Sequence, residues 1–260
     1  MRVLTERGLR WLVLSSFMTM GCTAHVYSPP SRLAVTDGPS NVEEGQVEIR
    51  GQYNVAGEVF GVGLQGAGAS VRYGMTPEVE IVGTAHYASL SGNRQTYKGT
   101  YINPLDGPPT VYSEDESWSL YTGRVGAKWS PEAWGGHFAV SSGLGGGYSD
   151  AGGLVSTDLG FTVGYSNRYV VPFVGLHGYV SVPIGGIAHD ISKNGAPAEM
   201  QTPRFTYGAQ MVLGVQMDFE VAAGQSIVLM GGASCTYLSD TSDEAPSAVM
   251  GLVFDAGYRF

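Results

Sequence analysis

The last fourteen residues of the chain, 247–260, alternate between two kinds of side chain. Every second residue is apolar or aromatic, and in a β-strand these residues share one face: Ala248, Met250, Leu252, Phe254, Ala256, Tyr258 and Phe260. The opposite face mixes glycine and valine with Asp255 and Arg259. Lipid would not tolerate these two charges, whereas the polar interior of a barrel would. The segment therefore predicts a β-strand with an apolar outer face and a polar inner face.

Eight earlier segments repeat this alternation and a ninth, residues 169–182, is apolar on both faces; stretches rich in glycine, proline and acidic residues separate them. Together with the C-terminal segment they predict ten strands, at residues 47–55, 60–75, 79–87, 118–129, 137–149, 155–165, 169–182, 204–218, 226–237 and 247–260. The alternation is lost at residues 90–116 and 183–203, which predicts two long loops. Aromatic residues gather near both ends of the outward faces, where amphipathic rings meet a lipid–water interface.

The C-terminal strand resembles that of bacterial outer-membrane β-barrel proteins, which ends in Phe with an aromatic residue two positions earlier, here Phe260 and Tyr258. The even number of strands suits the same family. We therefore expect an all-β fold, a single antiparallel up-and-down transmembrane β-barrel of about ten strands over residues 46–260, in the bacterial outer membrane. The resemblance implies outer-membrane lipid and the barrel-assembly machinery as partners, and other envelope proteins are further expected partners.

The composition excludes other classes of protein. With 39 glycines and only 14% charged residues, the chain suits strands that alternate small or polar inner positions with apolar outer ones. After the N-terminus no run of 18 apolar residues occurs, so no membrane-spanning helix is expected. The net charge of −9 disfavours nucleic acid as a partner, because nucleic acid requires a basic surface.

Residues 1–21 have the layout of a secretory signal, in which three arginines precede an apolar run over residues 11–20. The run ends at Gly21-Cys22, which resembles the end of a bacterial lipobox, where the cysteine is lipidated and becomes N-terminal. Thr19 departs from that pattern, which usually has Leu at this position. A cut after Ala24 is the alternative, and it would make residues 1–24 the signal. Residues 22–45 show no period and predict a periplasmic linker outside the lumen.

Charged residues on the predicted inner faces are nearly balanced in sign: Glu48, Arg50, Arg72, Glu80, Arg124, Lys128, Asp158, Arg204, Asp218, Asp255 and Arg259. Charges in a narrow lumen must be paired or hydrated, and a ten-stranded barrel is little wider than the eight-stranded size that side chains fill. We expect a plugged lumen and a structural or docking role in the envelope. A small passive diffusion pore is the alternative, favoured by the inward glycine row Gly143, Gly145 and Gly147.

Catalysis is a third alternative, since a neutral imidazole accepts a proton near pH 7. His189-Asp190 lie in a predicted external loop, and His86 lies near the outer end of a predicted strand. Adjacent residues on a strand point apart, and the Asp-x-His and paired-Asp motifs of omptin proteases are absent. Residues 61–66 match G-x-G-x-x-G by count only, because no helix follows. We therefore expect no enzymatic activity, no metal and no cofactor.

We predict that the mature protein begins at a diacylated or triacylated Cys22. The intact mass of the mature protein measures this directly. A Cys22→Ser variant is the control, because it removes the thiol that would be acylated. An N-terminus at His25 would contradict lipidation and would favour the cut after Ala24.

Overall fold

A computed structural model describes residues 29–33, 36–58, 63–98, 110–149, 152–165, 167, 170–185, 189–191, 199–201, 204–241 and 247–260. Within these ranges the chain is almost entirely β-structure, with one short 3₁₀ turn at Glu132–Trp134. The strands are β1 Val47–Glu58, β2 Gly63–Thr76, β3 Val79–Lys98, β4 Thr110–Trp129, β5 Phe138–Ser149, β6 Gly152–Gly164, β7 Val170–Ile184, β8 His189–Ile191, β9 Glu199–Gln201, β10 Thr206–Ala222, β11 Gln225–Asp240 and β12 Ser247–Arg259. In the part of the chain described, no helix is long and apolar enough to cross a membrane.

Ten of these strands form one closed antiparallel barrel in which chain neighbours are sheet neighbours. The first and last strands close it, with β1 pairing β12 from Glu48↔Arg259 to Glu58↔Val249. The predicted fold class, an all-β up-and-down barrel of ten strands, is confirmed. The short strands β8 and β9 form a separate two-stranded sheet in the connection from β7 to β10, within the stretch predicted to be a loop.

The two ends of the barrel differ in their connections. At one end, here called the turn rim, β1 begins, β12 ends, and short links join β2 to β3, β4 to β5, β6 to β7 and β10 to β11. The opposite end, here called the loop rim, carries the connection from β3 to β4 and the longer one from β7 to β10. The height of a residue in the barrel wall is therefore given by its distance along the strand from either rim.

The outer wall is apolar through its middle because alternate side chains leave the barrel there. Val125 and Leu144 are paired across β4 and β5 and are 65% and 64% exposed. On the other side of the barrel, Leu213 and Leu252 are each 53% exposed and both pair with Ala233 of β11. Together these outward side chains form a belt of hydrocarbon around the barrel.

Exposed aromatic rings lie at both ends of this belt. Trp129 and Tyr121 are eight residues apart on β4, about 27 Å along the strand at roughly 3.4 Å per residue. Among the described residues, the exposed rings near the turn rim include Tyr73, Trp129, Trp134, Tyr165, Phe219, Tyr258 and Phe260, and those nearer the loop rim include Tyr87, Tyr121, Tyr148, Phe205, Tyr207 and Tyr237. Such rings suit two lipid–water interfaces.

The inner wall is polar for most of its area but contains two apolar clusters. Phe173, Val212, Met230 and Val253 form the first, contributed by β7, β10, β11 and β12. Ala88, Leu120 and Leu154 form the second, near the loop rim. Sequence alternation predicts which residues point inward, but it does not show which inward apolar residues meet.

The long loop predicted at residues 90–116 is wrong over most of its length. β3 and β4 continue as a paired ladder from Ser91↔Ser117 to Lys98↔Thr110. The alternation of apolar and polar side chains ends there because a ladder beyond the belt has no lipid face to cover. The turn-forming residues 99–109 lie outside the described residues.

The expectation that the segment before Glu44 stays outside the lumen is also wrong. Residues 29–33 and 36–42, here called the lumen segment, lie inside the barrel, and most of them are buried. They contact inward side chains of β1, β3, β4, β6, β7 and β10. The segment lacks periodicity because it lies in irregular backbone whose polar groups are satisfied by the surrounding wall.

We predict that a disulfide can be placed across the closure of the barrel. Gly51 and Ala256 are exposed and directly opposite each other on β1 and β12, and directly opposite Cα atoms lie about 4.5 to 5.5 Å apart. In a Cys22→Ser/Cys235→Ser background, Gly51→Cys with Ala256→Cys should oxidise and lose both free thiols. Gly51→Cys with Asp255→Cys is the control, because its two side chains face opposite sides of the wall. Free thiols in both variants would contradict the register.

Candidate functional site

The lumen is the candidate site, and it gathers most of the predicted inward charges. Eight of them are buried: Glu48, Arg50, Arg72, Glu80, Arg124, Lys128, Asp158 and Asp255. Arg259 and Asp218 are partly exposed at the turn rim and bind each other, with 3.4 Å between Arg259 Nη1 and Asp218 Oδ2. Arg204 differs from the prediction: it is exposed and precedes the first residue of β10, so it does not line the lumen.

Glu48 is the centre of the charge network near the turn rim. Its Oε1 atom accepts hydrogen bonds from Arg50 Nε at 2.5 Å and Arg72 Nη1 at 3.0 Å. Its Oε2 atom accepts two from Arg259, at 2.8 and 2.6 Å. The three arginines come from β1, β2 and β12, which are adjacent in the barrel. Charge-assisted bonds of this kind hold the closure between β1 and β12 from inside.

Glu80 links the wall to the lumen segment. Arg72 binds its Oε1 atom through two guanidinium nitrogens, and Lys128 Nζ lies 3.2 Å from the same atom. The backbone N–H of Val42 donates to Oε2 at 2.8 Å. Lys128 also donates to the carbonyl oxygens of Ser40 and Gly38, at 2.6 and 3.2 Å. Both charges therefore depend on the segment for part of their solvation.

A second network occupies the middle of the lumen. Arg124 binds Asp158 in a bidentate manner, at 2.6 and 2.7 Å. Arg32 of the lumen segment lies beside this pair, with Nη1 3.9 Å from Asp158, and forms an ion pair with Asp37 of the same segment. The segment thus brings one cation and one anion into the lumen and leaves the charge balance unchanged.

Closer to the loop rim the contacts become uncharged. Ser31 N donates to Ser156 Oγ at 2.7 Å, and Ser156 Oγ donates to Ser31 Oγ at 2.6 Å. Ser181 Oγ donates to the carbonyl oxygen of Pro29 at 2.8 Å. Leu33 packs against the apolar cluster of Ala88, Leu120 and Leu154. Polar and apolar contacts together fix the outer part of the lumen segment.

The glycine row of β5 makes room for the Arg124 guanidinium and for Ser31 instead of leaving a channel. The Arg124 guanidinium lies where a side chain on Gly143 would stand, and Ser31 lies where a side chain on Gly145 would stand. A Cβ atom at Gly145 would be only 2.5 Å from Ser31 Oγ. The space predicted from this row exists in the wall, and it is filled.

Sequence reasoning missed the residues of the lumen segment itself, chiefly Ser31, Arg32 and Asp37. No periodicity marks them, and a stretch with Pro29, Pro30 and Pro39 is typical of a linker. The one usable signal is that Arg32 and Asp37 are opposite charges five residues apart in a chain with few charges. That signal does not show where the pair lies.

In the described part of the chain, two histidines are buried in the lumen, and the exposed His137 is bonded through Nδ1 to the carbonyl oxygen of Gly164 at 3.1 Å. His86 is buried and bonded to Gln52 Oε1 at 2.5 Å. His177 is fully buried, with Nδ1 3.5 Å from both Ser141 Oγ and Arg32 Nη1. His189 and Asp190 lie on β8, and their side chains are outside the described residues. Among the residues described, no cluster of three metal-ligating side chains occurs.

Of the two cysteines, only Cys235 lies within the described residues. Cys22, the predicted site of lipidation, lies outside the described residues, as do the predicted signal and both cleavage sites. Cys235 is a free cysteine of intermediate exposure on β11.

The fold and the lumen define a closed up-and-down β-barrel with an apolar outer wall and an interior occupied by its own N-terminal residues. No protein-family model matches the sequence, and no curated protein matches it. Structural neighbours are bacterial outer-membrane β-barrel proteins.

Three solved structures illustrate this likeness. Neisserial surface protein A is 12% identical, covering 82% of this chain and 94% of that chain with a TM-score of 0.34. The N-terminal barrel domain of OprF from Pseudomonas aeruginosa is 11% identical, covering 84% and 98% with a TM-score of 0.31. The outer-membrane protease OmpT from Escherichia coli is 8% identical, covering 88% and 99% with a TM-score of 0.37.

We predict that Arg72→Ala lowers the free energy of unfolding by about 3 to 5 kcal/mol, because it removes one partner from two buried carboxylates. Glu48 and Glu80 would each lose a guanidinium contact. Urea unfolding of the folded protein in lipid vesicles, followed by tryptophan fluorescence, measures the change. Arg204→Ala is the matched control, expected within about 0.5 kcal/mol because Arg204 is exposed. Equal unfolding midpoints for the two variants would contradict a structural role for the network.

Proposed function

We propose that this protein is a non-enzymatic outer-membrane β-barrel whose lumen is closed by its own lumen segment, and that it serves as a structural or docking component of the cell envelope. The single observation that carries the proposal is the lumen segment. It forms hydrogen bonds with the inner faces of six strands, from Glu80 near the turn rim to Ser181 near the loop rim. In a barrel that acts as a diffusion pore, water would occupy the part of the lumen where this segment lies.

The outer wall supports insertion in a membrane. An aqueous surface rarely exposes a contiguous apolar patch larger than a few hundred Å², yet the belt described above surrounds the whole barrel. Its aromatic borders on β4 are about 27 Å apart along the strand. At the strand tilt of about 35 to 45° in such barrels this is a height of about 20 Å, near that of an apolar band about 25 Å tall. All backbone groups of a closed barrel are paired between strands, so the wall can face hydrocarbon.

The lumen contacts support closure. Six cations and six anions meet in the described part of the lumen and its turn rim: Arg32, Arg50, Arg72, Arg124, Lys128 and Arg259, and Asp37, Glu48, Glu80, Asp158, Asp218 and Asp255. Most are buried, and buried charges must be paired to be stable. Rehydrating them for a passage would require the segment and the ion pairs to separate together.

The loop rim supports a docking role. β2 pairs β3 as far as Ser91, and β5 pairs β4 as far as Leu120, whereas β3 and β4 pair each other to Lys98↔Thr110. Among the described residues, the last seven pairs of this hairpin have no third strand beside them, a projection of about 24 Å at roughly 3.4 Å per residue. Backbone on a projecting hairpin is available to envelope partners, while lipid and the assembly machinery contact the wall and β12.

We predict that the wild-type protein shows no stable conductance in planar lipid bilayers. A variant lacking residues 25–42 should conduct, because it removes the segment that fills the lumen and leaves Lys128 without the carbonyls of Ser40 and Gly38. Single-channel recording on purified protein measures both. Heat-modifiable migration on a gel shows in parallel that each variant is folded.

A second variant tests the same closure with less change to the chain. Gly145→Ala places a Cβ against both Ser31 and the carbonyl oxygen of Gly123 on β4, whereas Gly83→Ala places one where no atom lies within 4 Å. The first should raise conductance and the second should not. Stable conductance steps from the wild-type protein would contradict the closed lumen and support the alternative of a small passive pore.

A further inference from the structure

The lumen segment runs in one direction through the barrel. Counting back from β1, Gly45 and Glu44 contact Gly74 near the turn rim. Val42 then meets Glu80 on the second residue of β3, and Gly38 meets Lys128 on the second-last residue of β4. These first contacts of the lumen segment therefore lie near the turn rim, where β3 begins and β4 ends.

The remaining contacts rise steadily along β7. Pro39 lies against Gly164, which is paired with Phe173 near the start of that strand. Arg32 then meets His177, and Pro29 meets Ser181. Ser181 is three residues before Ile184, the last residue of β7 at the loop rim. The chain has therefore crossed most of the lumen by the time it reaches Pro29.

Chain length determines where the preceding residues can go. Seven Cα–Cα steps separate Cys22 from Pro29, and they span at most about 25 Å when fully extended. From Ser181 back to Val170 at the turn rim is eleven residues of β7, about 37 Å along the strand. A return would also have to pass the lumen segment and the buried ion pairs of Arg32 and Arg124 beside it. The loop rim is about 10 Å away along the strand.

We infer that the chain upstream of Pro29 leaves the barrel at the loop rim, so that the mature N-terminus is displayed on the outer face of the membrane. This rests on the proposed function, an outer-membrane barrel, because in such barrels the short turns face the periplasm and the longer loops face the outside of the cell. A lipid on Cys22 would then enter the outer leaflet, beside the loops, and not the periplasmic leaflet. The protein would present an acylated N-terminus and a projecting hairpin on the same surface.

The experiment uses the full chain with a peptide epitope inserted between His25 and Val26, expressed in a bacterium with an outer membrane. Both cleavage sites leave this epitope on the mature protein, and three residues separate it from Pro29. Two matched variants carry the epitope elsewhere. One has it at Gly224 in the turn between β10 and β11, and the other between residues 243 and 244 in the connection from β11 to β12. Antibody labelling is measured on intact cells and after the outer membrane is permeabilised.

The N-terminal epitope should be labelled on intact cells to the same extent as the epitope at 243–244, while the epitope at Gly224 should require permeabilisation. N-terminal labelling that needs permeabilisation, or fails even then, overturns the inference while the two other epitopes still support the outer-membrane orientation. If the epitope at 243–244 is not labelled on intact cells, the proposed orientation is wrong and the inference falls with it.

A smaller probe covers the case in which the inserted epitope prevents folding. His25→Cys in a Cys235→Ser background places a thiol near Pro29 without lengthening the chain. A membrane-impermeant maleimide should label it on intact cells, with Cys235→Ser alone as the control for other thiols. Absence of labelling above that control, in protein that migrates as a folded barrel, overturns the inference.

Discussion

Glu48 is bound by arginines from three strands, and the charge network near the turn rim depends on that one carboxylate. Arg50, Arg72 and Arg259 converge on it, and Arg72 extends the network to Glu80. The closure between β1 and β12 is otherwise an ordinary ladder of backbone hydrogen bonds. A buried carboxylate that bridges the closing strands adds bonds that cannot exchange freely with water. The charges in the lumen therefore act on the same contact that completes the barrel.

The lumen segment extends this network by supplying groups that the wall lacks. Lys128 takes two backbone carbonyls from the segment, Glu80 takes one backbone N–H, and Gln210 donates to the carbonyl oxygen of Arg32. A ten-stranded wall encloses more space than its own side chains fill, especially beside the glycine row of β5. The lumen segment lies in that space and supplies hydrogen-bond partners to buried groups of the wall.

The barrel could be predicted from the sequence because alternation is imposed by the environment of the wall. Leu252 and Phe254 face outward and Val253 and Asp255 face inward, because successive side chains of a strand point to opposite faces of the wall. Beyond the wall, the alternation of apolar and polar residues no longer predicts where a strand begins or ends. The β3–β4 ladder beyond Ser91 was predicted as a loop, and Arg204 was predicted inside although the strand begins only at Thr206. The lumen segment was missed because its place depends on contacts between Arg32, Asp37 and residues far along the chain.

The first and last strands of the chain close the barrel around the lumen segment. This arrangement restricts the order of assembly. Glu48 and Arg259 are 211 residues apart in the chain, so the closing contact is among the most distant that this chain makes and is expected to form late. If the N-terminus is acylated and lies at the loop rim, as proposed above, it could not pass through the occupied lumen afterwards. On that proposal the sheet curls around the lumen segment while the barrel is still open.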